Sequence, residues 1–300
     1  TWRCPCNDRC FRGLGWQVEM TVIVAKELST ALAALREHAD ARLIQGGTDL
    51  MVEINFNHVK PTTMVSLRDV QSLRTIRQDS PGIMSIGSGV PYSVLEGEPV
   101  LSAIPALAQA SRTVGSPQIR ATGSLGGNLG TCSPAGDTLP VMFALDAMIH
   151  LSTLDSQRVV SIHDFMTGVK RNVRQHDEII TAIDFPIVQG WQGYSKVGVR
   201  NAMVISVASA CLVADHKHAD VRLALGSVGP TIIRCREAEA WLKSSQDLTA
   251  GQSISLDIAH EFGRRAADES SPIDDHRSTA QYRRHAISVL ASRLLRKAYQ

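Results

Sequence analysis

The spacing of apolar positions outlines the chain before any motif does. Leu28, Leu32, Leu35 and Ala39 recur at helical intervals on one face, with Ser29 where an N-cap would stand. A short strand over 42–45 runs straight into Gly46, Gly47, Thr48 and Asp49, and 65–67 reads as another strand. Strands over 72–78 and 83–87 flank the turn residues Ser80, Pro81 and Gly82. An alanine-rich helix follows over 101–114, and a further helix over 138–146 carries Pro140 in its first turn. From Ala147 the pattern turns to strands, over 148–153, 159–162, 178–185, 194–199, 204–214 and 221–227. The tail is helical over 236–243, 257–267 and 280–298, with 246–255 as a loop. In the last helix Ile287, Leu290, Ala291, Leu294, Leu295 and Ala298 make one apolar stripe. No repeat of fixed period interrupts this order. Separate strand and helix runs predict an α+β fold.

Composition narrows the class. The chain has 300 residues, 44% hydrophobic and 20% charged, as an ordinary globular protein does. No run of about eighteen apolar residues occurs, so no membrane span is expected. The net charge of +2 gives no footprint for nucleic acid. Arg283, Arg284, Arg293 and Arg296 read as the solvated face of the last helix. Cys132, Cys211 and Cys235 are far apart and form no CxxC pair, which suits reduced thiols and a cytoplasmic setting. Cys4, Cys6 and Cys10 cluster as CPCNDRC, a spacing that matches no standard zinc pattern, and no metal site is expected. The chain opens on Thr1, and helical patterning starts only after Met20. Residues 1–20 therefore read as an unstructured extension, with Met20 as a natural start and no secretory signal before it.

The candidate chemistry lies in two glycine pairs, Gly46-Gly47 and Gly126-Gly127. Glycine permits positive φ and lets backbone N–H groups reach a ligand with no Cβ in the way. Successive N–H groups in such a turn make an anion nest. Each pair is followed by polar residues, Thr48-Asp49 and Asn128, which suggests a diphosphate held from two sides. Tight turns without a ligand are the other reading. Neither motif is GxGxxG or a P-loop. No Ser/His/Asp set or HExxH appears, and His58, His163 and His176 read as loop or surface residues, so no catalytic residue is nominated.

The order of these motifs resembles a known family. LIQGGTDL (43–50), IRATGSLGGNLGTCSPAGDTLP (119–140), DEIITAIDFP (177–186), YSKVGVRNA (194–202), LALGSVGPTIIRCREAEAWL (223–242) and SPIDDHRSTAQYRRH (271–285) are similar to the FAD-binding middle subunit of molybdenum hydroxylases, the family of xanthine dehydrogenase and aerobic carbon monoxide dehydrogenase. The resemblance covers about 21–299. It implies a two-subdomain FAD-binding fold of the vanillyl-alcohol-oxidase type over 21–188 and a C-terminal α+β domain of the carbon monoxide dehydrogenase flavoprotein type over 191–299. It also implies non-covalent FAD, gripped at its pyrophosphate by the backbone of Leu43, Ile44, Gln45, Gly46, Gly47, Thr48, Asp49 and Leu50 and of Ser124, Leu125, Gly126, Gly127 and Asn128. Asp137 falls where the family places a carboxylate on the cofactor, at a ribose hydroxyl. A helix N-cap before Thr138 is its alternative role. Val114 matches a position that packs on the flavin, and Ile180 and Lys196 match further cofactor contacts. Lys196 also reads as a surface strand lysine.

By the same resemblance, the chain is the electron-transfer subunit of an oxidoreductase heterotrimer. Its partners would be a large molybdenum-cofactor subunit and a small [2Fe–2S] subunit. Electrons would pass from the iron–sulfur clusters through FAD to an external acceptor, NAD, a quinone or another. Ala202, Met203 and Val204 stand where NAD-using relatives commonly carry acidic residues. No cysteine-rich loop for an extra cluster interrupts 133–137. The rival expectations are a stand-alone FAD-dependent oxidase and a scaffold subunit without FAD.

Overall fold

The computed structural model describes residues 20–300. The readings of residues 1–19, Cys4, Cys6 and Cys10 among them, lie outside the described residues. The N-terminal unit comprises β1 (Thr21–Val24), α1 (Leu28–Glu37), β2 (Arg42–Ile44), α2 (Leu50–Asn55) and β3 (Thr63–Ser66). Its three strands are parallel in the order β1-β3-β2, so the chain returns through crossovers. α1 buries Ala31, Leu32, Ala34 and Leu35 in a core shared with Val65 and Leu67. Its cap residue is Glu27, so Ser29 lies inside the helix, and Ala39 lies beyond its end.

The middle unit opens with a 3₁₀ turn at Gln71–Arg74, which delays the strand expected from 72. It continues through β4 (Ile76–Ser80), β5 (Ile83–Gly87), α3 (Tyr92–Leu95), α4 (Val100–Ala103), α5 (Pro105–Thr113), α6 (Pro117–Thr122), α7 (Leu125–Thr131) and α8 (Leu139–Ala144). β6 (Met148–Ser152), β7 (Gln157–Ser161), α9 (Ile162–Phe165), β8 (Met166–Gly168), β9 (Arg171–Asn172) and β10 (Ile179–Pro186) complete it. Five strands pair antiparallel in the order β4-β5-β10-β6-β7. The helix expected over 101–114 is broken at Ile104, because Pro105 lacks an N–H and starts a new helix.

The C-terminal unit holds β11 (Gly190–Val197), β12 (Ala208–Asp215), β13 (Asp220–Gly226), β14 (Ile233–Arg234), α10 (Arg236–Ser245), α11 (Leu256–Asp268) and α12 (Ala280–Ala298). Its sheet is antiparallel in sequence order. β12 is buried along its whole length because the sheet is covered on both faces. Ala208, Ala210, Leu212 and Ala214 join the core under α10, α11 and α12, while Cys211 and Val213 join the core of the middle unit. That double burial explains the continuous apolar run in its sequence. The strand expected from 204 begins only at Ala208, since 204–207 belongs to a loop over the cavity described below. The apolar stripe of α12 is buried as expected. Arg283 is not on its solvated face: it is buried and donates to the Ser227 carbonyl (2.7 Å) and the Asp275 carboxylate (2.6 Å). Among the described residues no helix is long and apolar enough to cross a membrane.

Candidate cofactor site

A cavity of about 620 Å³ lies where the N-terminal and middle units meet, and residues of both line it. That is within the range of sites that enclose a large small-molecule ligand, roughly 300–1,000 Å³. The turn from β2 into α2 forms one wall. Gly47 has φ +69, a left-handed conformation that a branched residue resists. A Cβ on Gly46 would overlap the Thr122 carbonyl group, lying 2.5 Å from its carbon, so this turn is pressed against the end of α6. The amides of Gly46, Gly47, Thr48 and Asp49 donate to no protein acceptor among the described residues. A row of unspent N–H groups along a cavity wall favours an anion.

The second glycine pair plays a different part from the one its sequence suggests. Gly126 and Gly127 are not in a turn and neither has positive φ: they lie in the first turn of α7. Their N–H groups are engaged, Gly126 to the Ser88 carbonyl (2.8 Å) and Gly127 to the Ser124 hydroxyl (3.2 Å). Ser124 is thus the N-cap that makes a glycine-rich segment helical. A Cβ on Gly126 would stand 2.5 Å from Ser88 Cβ, so this glycine allows α7 to pack closely. A Cβ on Gly127 would meet only Ser124 Oγ, at 3.4 Å. Its free side faces the cavity that it lines.

Asp137 sits on the cavity wall, buried to 8% exposure. It does not cap α8, whose cap residue is Thr138. Its carboxylate instead accepts from Tyr194 Oη (2.9 Å), Lys196 Nζ (2.6 Å) and Thr113 Oγ1 (3.2 Å). Burial pushes the Asp137 carboxyl above its ordinary range, opposed by the Lys196 charge and by these hydrogen bonds. Lys196 is no surface lysine: its side chain is 9% exposed, and it also donates to the Thr113 and Val204 carbonyls (2.9 and 3.1 Å). β11 therefore clamps the end of α5, the 203–205 loop and Asp137 together.

Of the other residues expected at the site, Leu43, Ile44, Gln45, Leu50, Val114, Ser124, Asn128 and Ile180 line the cavity. Leu125 points into the core and is fully buried, and Lys196 stands behind Asp137 rather than on the wall. Gln45 Oε1 is buried with no partner among the described residues. Sequence reasoning missed Tyr92, Lys170, Arg174, Met203, Val204 and Ile205, which also line the cavity. No Gly-Gly pair marks their stretches, and only the folding of distant segments brings them here. Unspent amides, an orphaned buried amide oxygen and a wall closed to side chains at Gly46 fit a large, partly anionic cofactor such as FAD.

Fold and cavity together define a cofactor-carrying protein with a separate sheet-and-helix domain. Residues 18–188 match the family model of the FAD binding domain in molybdopterin dehydrogenase, and residues 194–298 match that of the CO dehydrogenase flavoprotein C-terminal domain. The chain belongs to this flavoprotein family, the FAD-binding electron-transfer subunits of molybdenum hydroxylase oxidoreductases. It is similar to the glyceraldehyde dehydrogenase medium chain of Sulfolobus acidocaldarius, 27% identical over 283 residues covering 93% of this chain and 98% of the relative. It is similar also to the nicotinate dehydrogenase FAD-subunit of Eubacterium barkeri, 32% identical over 248 residues covering 79% and 83%. A chain in the solved structure of reconstituted CO dehydrogenase from Oligotropha carboxidovorans matches with a TM-score of 0.84 at 26% identity, covering 93% and 97%. The first of these relatives is by name a medium chain and the second an FAD-subunit.

Proposed function

We propose that the cavity holds non-covalent FAD, extended between the N-terminal and middle units, with the diphosphate at the amides of Gly46, Gly47, Thr48 and Asp49. The observation that carries this reading is that row of unpaired amides. When bound, FAD supplies reversible uptake and release of electrons. The chain's own residues bind and orient. Leu43, Ile44 and Ile180 offer apolar wall, Val114 packs beside the ring system, and Gly127 keeps one side of the cavity free of a side chain. Asp137 accepts a ribose hydroxyl, and Lys196 acts through Asp137 as a positioning residue. The proposed division of the chain is 21–188 for the cofactor and 191–299 for the C-terminal domain.

The partners in this reading are a large molybdenum-cofactor subunit and a small [2Fe–2S] subunit, in the cytoplasm, with an external acceptor such as NAD or a quinone. The medium-chain and FAD-subunit relatives support it. Reconstitution tests it. The FAD-loaded chain alone should pass electrons from an artificial donor to a dye but should not oxidise purines, aldehydes or carbon monoxide. Adding both partner subunits should confer substrate oxidation. Substrate turnover by the isolated chain at ordinary enzyme rates, roughly 1–1,000 per second, would instead make it a stand-alone oxidase.

A further inference from the structure

Two oppositely charged side chains face each other at the cavity wall. Lys170 Nζ donates to Glu53 Oε1 at 2.7 Å, although the two residues are 117 positions apart. Both line the cavity. Glu53 rises from α2, directly after the row of unpaired amides. Lys170 sits at the tip of the β8–β9 hairpin, with φ +54. The hairpin is fastened beneath it: the Lys170 amide donates to the Cys132 carbonyl (3.1 Å), and Asn172 Nδ2 donates to the Gly130 carbonyl (3.1 Å). The ammonium is thus carried on a fixed base and a flexible stem.

The charges around it are unbalanced in an informative way. Asp49 and Glu53 both act electrostatically on Lys170. Asp49 is itself one of the residues with an unspent amide, and its carboxylate accepts from Thr131 Oγ1 (3.2 Å). Two carboxylates beside an amide nest repel a dianion unless a cation accompanies it. Among the described residues the cavity wall offers three cations, Arg42, Lys170 and Arg174. Arg174 is tied by Nη1 to the carbonyls of Gln175, His176 and Glu178 (2.9, 3.3 and 2.8 Å). Arg42 stands at the start of β2 and acts electrostatically on Arg174. Lys170 feels the Asp49 charge directly, and its side-chain partner among the described residues, Glu53, is a part-exposed carboxylate that costs little to give up.

We infer that Lys170 is a ligand for the cofactor diphosphate and that Glu53 is its placeholder: on binding, the ammonium exchanges the Glu53 carboxylate for phosphate oxygen. The inference rests on the FAD reading above. It makes Lys170 and Glu53 opposite in effect, although they form one ion pair. A strap that merely closed the cavity would make them alike.

The test is a titration of the cofactor-free full chain, read by flavin fluorescence quenching for FAD and by calorimetry for ADP and adenosine. Lys170→Met should weaken FAD and ADP by roughly 10-fold or more, the value of a charge-assisted hydrogen bond, and leave adenosine unchanged. It should also flatten the salt dependence of FAD binding. Lys170→Arg should restore most of the affinity. Glu53→Gln should tighten FAD and ADP by about 2- to 5-fold by removing the competitor. Thermal melts of the cofactor-free variants serve as the folding control, and both substitutions are at part-exposed positions. Equal weakening by Lys170→Met and Glu53→Gln, or no change with either, would overturn the inference while leaving FAD binding by the parent intact. Failure of the parent to bind FAD would overturn the FAD reading itself, and the inference with it.

Discussion

Replacing Gly127 by Ala separates folding from cofactor binding. In the first turn of α7, the added Cβ would touch only Ser124 Oγ at 3.4 Å, an ordinary contact. Alanine is favoured over glycine in a helix by about 0.5–1 kcal/mol. The cofactor-free variant should therefore melt at the parent's temperature or about 2 °C higher. The same methyl projects into the cavity that Gly127 lines. A ligand seated against that wall must move, and overpacking by a methyl group costs about 1–3 kcal/mol. FAD should bind roughly 5- to 150-fold more weakly. Gly126→Ala is the contrast: its Cβ would lie 2.5 Å from Ser88 Cβ and 2.8 Å from the Ser88 carbonyl oxygen, so the fold itself should lose stability. Melting of the cofactor-free proteins and fluorescence titration with FAD measure the two effects separately. Unchanged FAD affinity in a well-folded Gly127→Ala protein would show that this wall does not face the cofactor.

Two further outcomes concern charge. Lys196→Met strands the buried Asp137 carboxylate and should cost about 3–5 kcal/mol at neutral pH. Because burial already raises the folded Asp137 pKa above its unfolded value, the ionised form opposes folding once Lys196 is gone. Without Lys196 to hold it down the folded carboxyl pKa rises further, so the deficit should shrink as pH falls through that higher value; melts across pH would reveal this, and a deficit independent of pH would refute the assignment. Asp275 lies at about 2: burial acts upward, but the Arg277 amide, the Arg283 guanidinium and the Ser278 amide outweigh it. A depressed carboxyl stabilises above its unfolded pKa and loses that contribution as pH falls toward the folded value. Asp275→Asn should cost about 1 kcal/mol near neutrality, after allowance for solvent screening, and the difference should vanish between about pH 4 and pH 2.

How far the site was legible depended on whether its signal was local. The Gly46–Gly47 turn was readable because glycine itself marks it, both for the local need of positive φ at Gly47 and for the close approach of α6 to Gly46. The Gly126–Gly127 segment was readable as a wall but not as a helix. Its intrinsic propensity points to a turn, and the Ser124 cap with close packing on Ser88 reverses that. Asp137 kept the helix N-cap as an alternative reading because the partners that hold its carboxylate, Tyr194 and Lys196, are 57 and 59 residues away. Lys170 and Tyr92 were not singled out at all, and Met203 and Val204 were read only in relation to the electron acceptor, since these stretches reach the cavity only through the tertiary fold. In the C-terminal unit, by contrast, the apolar stripe of α12 gave the helix its full extent, because periodic burial is written directly in the sequence.

The central claim is that this chain carries FAD in the cavity by non-covalent contacts. Its most direct test is to load the cofactor-free protein with FAD, count the flavin bound per chain, and precipitate with acid. The account expects one FAD per chain, with all yellow colour released to the supernatant. No flavin retained after loading, or colour that stays with the pellet, would contradict it.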